Sequence, residues 1–126
     1  MAFIMFNNNP YGKNVGDCII RAVSKALDQS WETSYIDLVA CGYEMKDIPS
    51  SNAVLNHYLR SKGFRRYSIP NTCPDCYTFL DFANDHSKGI YILGTGSHVA
   101  CVKHGNLWDS WNSSGETPLI YWKKED

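Results

Sequence analysis

The chain has 126 residues, of which 44% are hydrophobic and 20% are charged, and its formal net charge is -1. This balance excludes a disordered chain and the basic surface of a nucleic-acid-binding protein. A chain of this length suffices for one hydrophobic core, so we expect a single domain over residues 1–126. Its start lacks the features of a signal peptide and no apolar run reaches membrane-spanning length, so we expect a cytoplasmic protein without membrane contact.

The first helix is predicted to begin at Cys18. Residues Asn7 to Asn14 are polar and contain Pro and Gly, which is typical of a loop, and Asp17 or Asn14 can cap the helix that follows. Apolar residues then recur at helical spacing to about Asp28, at Ile19, Ile20, Val23, Ala26 and Leu27.

Two more helices are predicted before the sequence pattern changes. The second begins after Ser30 and is expected to end at Gly42, because glycine commonly terminates helices. The third begins at Ser50 or Ser51 and ends at Gly63. Their apolar stripes are Trp31, Tyr35, Leu38 and Val39 in the second helix, and Val54, Leu55, Tyr58 and Leu59 in the third.

The second half of the chain is predicted to be mostly extended. Phe64 to Ile69 resembles a strand, and residues 70–76 carry two prolines that prevent a regular element. Thr78 and Asp81 have the spacing of a capping box for a short helix to about His86. Four strands rich in Ile, Val, Tyr and Trp follow, at Gly89 to Leu93, Ser97 to Lys103, Leu107 to Trp111 and Leu119 to Lys123.

Helices followed by strands predict an α+β fold. We expect the strands to form an antiparallel sheet, with the helix that begins at Cys18 packed on it.

Cys18 is the candidate nucleophile, because the free N–H groups and partial positive charge of a helix start favour the reactive thiolate. Such a thiolate needs a base, a group that orients the base, and donors for the oxyanion. His98 is the only histidine on a strand-like run, Asp109 lies in the next strand, and the Cys18 N–H is a donor. The alternative for each residue alone is structural: a buried thiol, a core histidine and a turn cap.

The order of these residues resembles that of the papain-like cysteine peptidases. A Gly-Asp-Cys sequence ending at Cys18 opens a helix, His98 begins a strand, and an Asp-Ser-Trp sequence starts at Asp109, where the family has Asn-Ser-Trp. The resemblance implies that Cys18 is nucleophile, His98 is base, Asp109 orients it and Trp111 shields this pair from water. It also implies a minimal papain-like fold and a peptide or protein substrate. The short chain is similar to small papain-like proteins of phage and bacterial mobile elements.

Two positions differ from the family pattern. The family places an oxyanion-hole glutamine six residues before the cysteine, where this chain has Gly12, and Asn14 is the nearest amide that can replace it. The tryptophan that usually follows the cysteine is Ile19. Two functions stay open: hydrolysis of a peptide, isopeptide or related amide bond through an acyl-enzyme on Cys18, or a catalytically impaired fold that acts as a binding or inhibitory protein. The same triad supports acyl transfer to an amine.

The hairpin turn decides which residue orients His98. A two-residue turn at Gly105-Asn106 puts Asp109 on the sheet face that carries His98. A three-residue loop over 104–106 instead places Asn112 opposite His98. We favour Asp109, because a carboxylate stabilises an imidazolium better than a neutral amide does.

The cysteines give a weaker metal signal. Five cysteines in a chain without an export signal indicate reduced thiols. Cys73 and Cys76 have the spacing of half a zinc site, without a second paired motif. We therefore expect no metal and no cofactor, while a zinc site or a redox pair stays an alternative. Residues that could complete such a site are Cys41, Cys101, His86 and His104.

Overall fold

A computed structural model describes residues 2–70 and 77–125. The described residues form an α+β fold, as predicted, with four helices and a six-stranded sheet. The helices are α1 (Cys18–Leu27), α2 (Trp31–Met45), α3 (Asn52–Ser61) and α4 (Phe79–Asp85). The strands are β1 (Phe3–Met5), β2 (Phe64–Ser68), β3 (Ile90–Gly94), β4 (Val99–Lys103), β5 (Asn106–Asp109) and β6 (Ile120–Lys124).

Side-chain caps start three of the helices where the sequence predicts them. The Ser30 side chain accepts a hydrogen bond from the Thr33 N–H at the start of α2. The Ser51 side chain accepts one from the Val54 N–H at the start of α3. The capping box of Thr78 and Asp81 is formed at α4. These caps satisfy N–H groups that have no partner within the helix.

The start of α1 is different. Asp17 occupies the N-cap position, but its side chain makes no capping hydrogen bond. Its carboxylate is bound instead by Arg21 and by the indole N–H of Trp31. The expected cap by Asp17 or Asn14 is therefore wrong, because buried partners draw the Asp17 carboxylate away from the backbone.

The expected end of α2 at Gly42 is also wrong. The helix continues to Met45 and ends at Lys46, whose φ is 56°. A Cβ atom on Gly42 would lie 2.9 Å from the Asp47 carbonyl oxygen and 3.2 Å from Pro49. Gly42 thus allows the following turn to pack closely against the helix, and it does not break the helix.

A different stripe of α2 faces the core from the one predicted. The buried residues are Ser34, Leu38 and Gly42, one helical turn apart. Tyr35 and Val39, which we expected inside, are 43% and 39% exposed. Small residues let α2 lie close to α1, where the hydroxyls of Ser34 and Ser24 are 2.9 Å apart.

The sheet is mixed, so the expectation of an antiparallel sheet is wrong for one strand pair. Its strand order is β1-β5-β4-β3-β6-β2, and β1 pairs parallel with β5 while the other pairs are antiparallel. The three-residue β1 is too short to carry a periodic signal. Its pairing continues at Phe6, whose N–H donates to the Asp109 carbonyl oxygen at 2.7 Å, so β1 fixes the end of β5.

The sheet lies between two groups of helices. One face packs against α1, α2 and α3 through residues such as Val23, Cys101 and Trp122. The other face packs against α4 through residues such as Phe82 and Val102. Alternate strand residues point to opposite faces, so both sides of the central strands are buried. Among the described residues, no helix has both the length and the hydrophobicity to cross a membrane.

Candidate active site

The structure brings Cys18, His98 and Asp109 together at one end of the sheet. Cys18 is the first residue of α1, His98 immediately precedes β4, and Asp109 ends β5. The His98 Nε2 and Asp109 Oδ2 atoms are 2.6 Å apart. The Cys18 side chain is hydrogen-bonded to His98. Because Nε2 faces Asp109, Nδ1 is the ring nitrogen that faces the thiol.

The hairpin reaches this arrangement through a register that neither sequence alternative predicted. Lys103 pairs with Asn106, so the two-residue loop is His104-Gly105, and its φ angles are 54° and 80°. Positive φ at both positions defines the turn that suits the twist of a hairpin. Continuing this register places Asp109 opposite Ala100, nearer to His98 than expected.

Asp109 is the most enclosed group of the site, with 1% of its residue surface exposed. Its Oδ1 accepts hydrogen bonds from Arg21 Nη2 at 3.0 Å and from the Ser110 N–H at 2.8 Å. Its Oδ2 accepts from Ser113 Oγ at 2.6 Å, beside the bond to His98. Burial would raise the pKa of Asp109, but the bonds from His98 and Ser113 outweigh it and lower the pKa. The carboxylate is therefore ionised and fixed in orientation.

Cys18 is an acidic thiol. Burial alone would raise its pKa, but hydrogen bonds from His98 and from the Val99 N–H, with the charges of His98 and Arg21, lower the pKa below the ordinary value of 9.0. The hydrogen bond with His98 is the one that can take part in catalysis, because His98 can also deliver a proton.

His98 is a strong base in this setting. Burial would lower its pKa, but the hydrogen bonds to Asp109 and Cys18 raise the pKa from 6.5 to about 9. A lowered thiol pKa and a raised imidazole pKa favour proton transfer from Cys18 to His98. The Asp109 carboxylate on the far side of the ring favours the same thiolate–imidazolium pair, because it stabilises the imidazolium.

Aromatic rings flank the imidazole. The Trp111 ring lies 4.9 Å from the His98 ring between centroids, and the Phe79 ring lies 6.5 Å away and nearly parallel. Trp111 is 44% exposed, so this ring contact lies at the surface. The shielding role that the resemblance implies for Trp111 stays a prediction.

Two predicted supporting residues lie elsewhere. Asn112 is exposed and its Oδ1 accepts from the Ser114 N–H at 3.1 Å, because the observed register gives Asp109 the place beside His98. Asn14 is exposed and is not among the described residues that line the cleft at Cys18. The structure therefore gives no support to the expectation that the Asn14 amide replaces the family glutamine, which stays a prediction.

The start of α1 offers a backbone donor. The first hydrogen bond within α1 runs from the Arg21 N–H to the Asp17 carbonyl oxygen, and no described residue accepts from the Cys18 N–H. This N–H belongs to the residue that carries the sulfur, and it has no acceptor within the helix. A free N–H at a helix start is suited to a developing oxyanion.

Four residues around the triad were missed in the sequence. Arg21 and Ser113 are buried and donate hydrogen bonds to the Asp109 carboxylate. Asp17 is also buried and binds Arg21, and Trp31 binds Asp17. One sequence signal could have revealed part of this network. Asp17 and Arg21 are four residues apart, which is the spacing of an ion pair on one helix face.

Cys18 lines one of two neighbouring clefts, which share the lining residues Gly16, Asp17, Ile20 and Tyr35. One has a volume of about 420 Å³ and is lined by Cys18, His98 and mainly apolar groups of α1 and α2. The other, of about 640 Å³, extends toward residues 9–15. Gly16 lines both, and a Cβ atom there would meet no atom within 4 Å. Other apolar residues of the first cleft are Ile19, Ile20, Leu38, Val39 and Pro49.

The other cysteines do not form a second described site. Cys101 is fully buried, which raises its pKa to about 12, and Cys41 has a raised pKa because of burial and Glu44. The described residues contain no group of three or more His, Cys, Asp or Glu side chains that could hold a metal ion. The predicted pair Cys73 and Cys76 lies outside the described residues.

Comparisons with known proteins do not assign the chain. No family model, curated protein or solved structure matches it. The arrangement of the thiol, the imidazole and the carboxylate is therefore the basis for a functional proposal.

We predict that Cys18 reacts with iodoacetamide at mildly acidic pH, before the other described thiols. His98→Ala removes a hydrogen bond and a positive charge but leaves the burial that raises the pKa of Cys18, so alkylation near about pH 6 should slow by on the order of tenfold or more and recover at alkaline pH. Asp109→Asn should give a smaller shift in the same direction. Rates are read by peptide mass spectrometry.

Asn112→Ala is the matched control for this experiment, because Asn112 lies near Asp109 in sequence but does not contact His98. It should leave the pH profile of Cys18 unchanged. The assignment is contradicted if Asn112→Ala shifts the profile as Asp109→Asn does, or if wild-type Cys18 titrates no lower than Cys41.

Proposed function

We propose that this protein is a papain-like cysteine hydrolase that cleaves peptide, isopeptide or related amide bonds through an acyl-enzyme on Cys18. The observation that carries the proposal is the imidazole of His98 held between the Cys18 thiol and a buried carboxylate, at the mouth of an open cleft. Buried thiols with a purely structural role need neither a charged partner nor access to solvent.

The first half of the reaction uses the thiolate and the imidazolium. The Cys18 sulfur attacks the acyl carbon, a C–S bond forms, and the carbonyl π electrons move to the oxygen. The Cys18 N–H at the start of α1 stabilises that oxyanion. The C–N bond then breaks as the His98 Nδ1–H protonates the leaving amine. The result is a thioester on Cys18 and a neutral His98.

The second half restores the thiolate. His98 removes a proton from water, and the oxygen attacks the thioester carbon. The C–S bond breaks, the carboxylic acid product leaves, and Cys18 becomes the thiolate of a new ion pair. Asp109 stays ionised throughout, because its oxygens accept from Arg21, Ser110 and Ser113 as well as from His98. Its role is to orient and stabilise the imidazolium.

The shape of the clefts supports an extended substrate. The first cleft offers an apolar wall beside the sulfur, and the second continues on the other side of Gly16. Two neighbouring depressions that share wall residues, with the thiol in one of them, fit a polypeptide chain better than a small amide.

A second candidate function is binding or inhibition without turnover. It is favoured by one observation: neither Gly12 nor Asn14 provides a side-chain amide at the cleft, so the oxyanion hole consists of backbone groups. Loss of one oxyanion-hole donor typically slows acyl transfer by on the order of 100-fold or more but does not abolish it. The free Cys18 N–H and the intact ion pair favour the hydrolase.

We expect a peptidyl thioester to acylate Cys18. Intact-protein mass spectrometry after acid quenching should find one acyl group per chain, and Cys18→Ala should abolish it while the matched change Cys41→Ala should not. Turnover should rise with pH as the Cys18 thiolate forms and fall above about pH 9, where His98 loses its proton. Tight substrate binding without an adduct would support the alternative function, and an adduct on another thiol would contradict the proposal.

Gly16→Val should slow the cleavage of long peptides without slowing the reaction of Cys18 with a small reagent. A Cβ atom at Gly16 would meet no atom within 4 Å, and Gly16 lines both clefts, so kcat/KM for peptides that span both should fall by on the order of tenfold or more. Alkylation by iodoacetamide should be unchanged. Gly115→Val is the control, because Gly115 also has open space around it and lies outside both clefts. Equal loss with both variants, or no loss with Gly16→Val, argues against the spanning substrate.

A further inference from the structure

Among the residues that the structure describes, Arg21 is a buried cation that binds both the start of α1 and the end of β5. Its side chain is 6% exposed, and its Nη2 donates to Asp109 Oδ1 at 3.0 Å. Its Nη1 donates to Asp17 Oδ1, so a single guanidinium binds two buried carboxylates. A planar guanidinium can serve both at once, whereas the compact ammonium of lysine has no such fork.

We propose that Arg21 is a positioning residue that couples the helix start carrying Cys18 to the orientation of Asp109. This inference rests on the proposed function and adds a residue that acts through others. Arg21 touches neither the sulfur nor the cleft; it acts on the carboxylates on either side of it.

The first consequence concerns Asp17. An aspartate at an N-cap position normally accepts hydrogen bonds from the first N–H groups of the helix. Here Arg21 holds Oδ1, and the Trp31 Nε1 donates to Oδ2 at 2.9 Å. Both oxygens are therefore held by side chains, and the carboxylate makes no hydrogen bond to the helix start. A released Asp17 carboxylate would turn to the N–H groups of the first helical turn and place its negative charge near the thiolate.

The second consequence concerns Asp109. With Oδ1 held by Arg21, Oδ2 is directed to His98. Charges then alternate along one chain of contacts, from Asp17 through Arg21, Asp109 and His98 to Cys18. Each negative group lies next to a positive one, which keeps the buried charges compensated. The positive charge of Arg21 also contributes directly to the lowered pKa of Cys18.

The test is the pH dependence of Cys18 alkylation by iodoacetamide in Arg21→Lys, with folding checked by thermal unfolding. This variant keeps the charge but loses the fork, so Asp17 is released and Asp109 is held less well. Below about pH 7 the rate should fall by on the order of tenfold, because the thiol pKa rises by about one unit. At strongly alkaline pH, where the thiol is ionised in both proteins, the rates should be equal.

The double variant Asp17→Ala/Arg21→Lys separates the two consequences. It lacks the carboxylate that would compete for the helix start, so its profile should lie between those of Arg21→Lys and the wild type. Its single ammonium needs to serve only Asp109, so it still tests the proposal if the single variant does not fold. If Arg21→Lys does not fold, a wild-type profile in the double variant overturns the proposal, and a raised thiol pKa in the double variant supports it.

Arg66→Lys is the matched control, because Arg66 lies exposed on β2. It should leave the profile unchanged. A wild-type profile in Arg21→Lys, or an equal loss of rate at every pH, overturns the inference. A failure of the proposed function is distinct, because it would appear in the wild type as a Cys18 that titrates like a free thiol or forms no acyl-enzyme.

Discussion

The buried carboxylate of Asp109 is the group on which the rest of the site depends. An ionised carboxylate with 1% exposure requires charged or hydrogen-bonding partners on every side, and removing one partner of a buried ion pair typically costs about 3–5 kcal/mol. Four donors meet this requirement: His98 before β4, Arg21 on α1, and the Ser110 N–H and the Ser113 hydroxyl after β5. The same contacts that stabilise the charge therefore bring the imidazole to the thiol.

The described residues hold a thiol, an imidazole and a carboxylate together within one α+β fold. One strand pair and one helix start carry these three groups, and a single guanidinium joins the helix start to the carboxylate. In the proposed reaction the oxyanion donors are backbone groups, so no side-chain glutamine is needed.

Much of the site was accessible from the sequence because its signals are local. Serine and threonine caps located α2, α3 and α4, and the order of Cys18, His98 and Asp109 indicated the three groups that the structure brings together. The hairpin register was not accessible, because it depends on His104 adopting positive φ, which few residues other than glycine do. Arg21 was not recognised because a charge in a helix normally faces solvent, and its two buried partners come together only in the folded chain.

The central claim is that Cys18 and His98 rest as a thiolate–imidazolium pair, and the most direct measurement is an NMR titration of the His98 ring nitrogens. We expect His98 to stay protonated through neutral pH and to titrate near about pH 9. In Cys18→Ala the pKa of His98 should fall, because the thiolate that helps to raise it is absent. A His98 ring that titrates near its ordinary value of 6.5 and does not respond to Cys18→Ala would contradict the account.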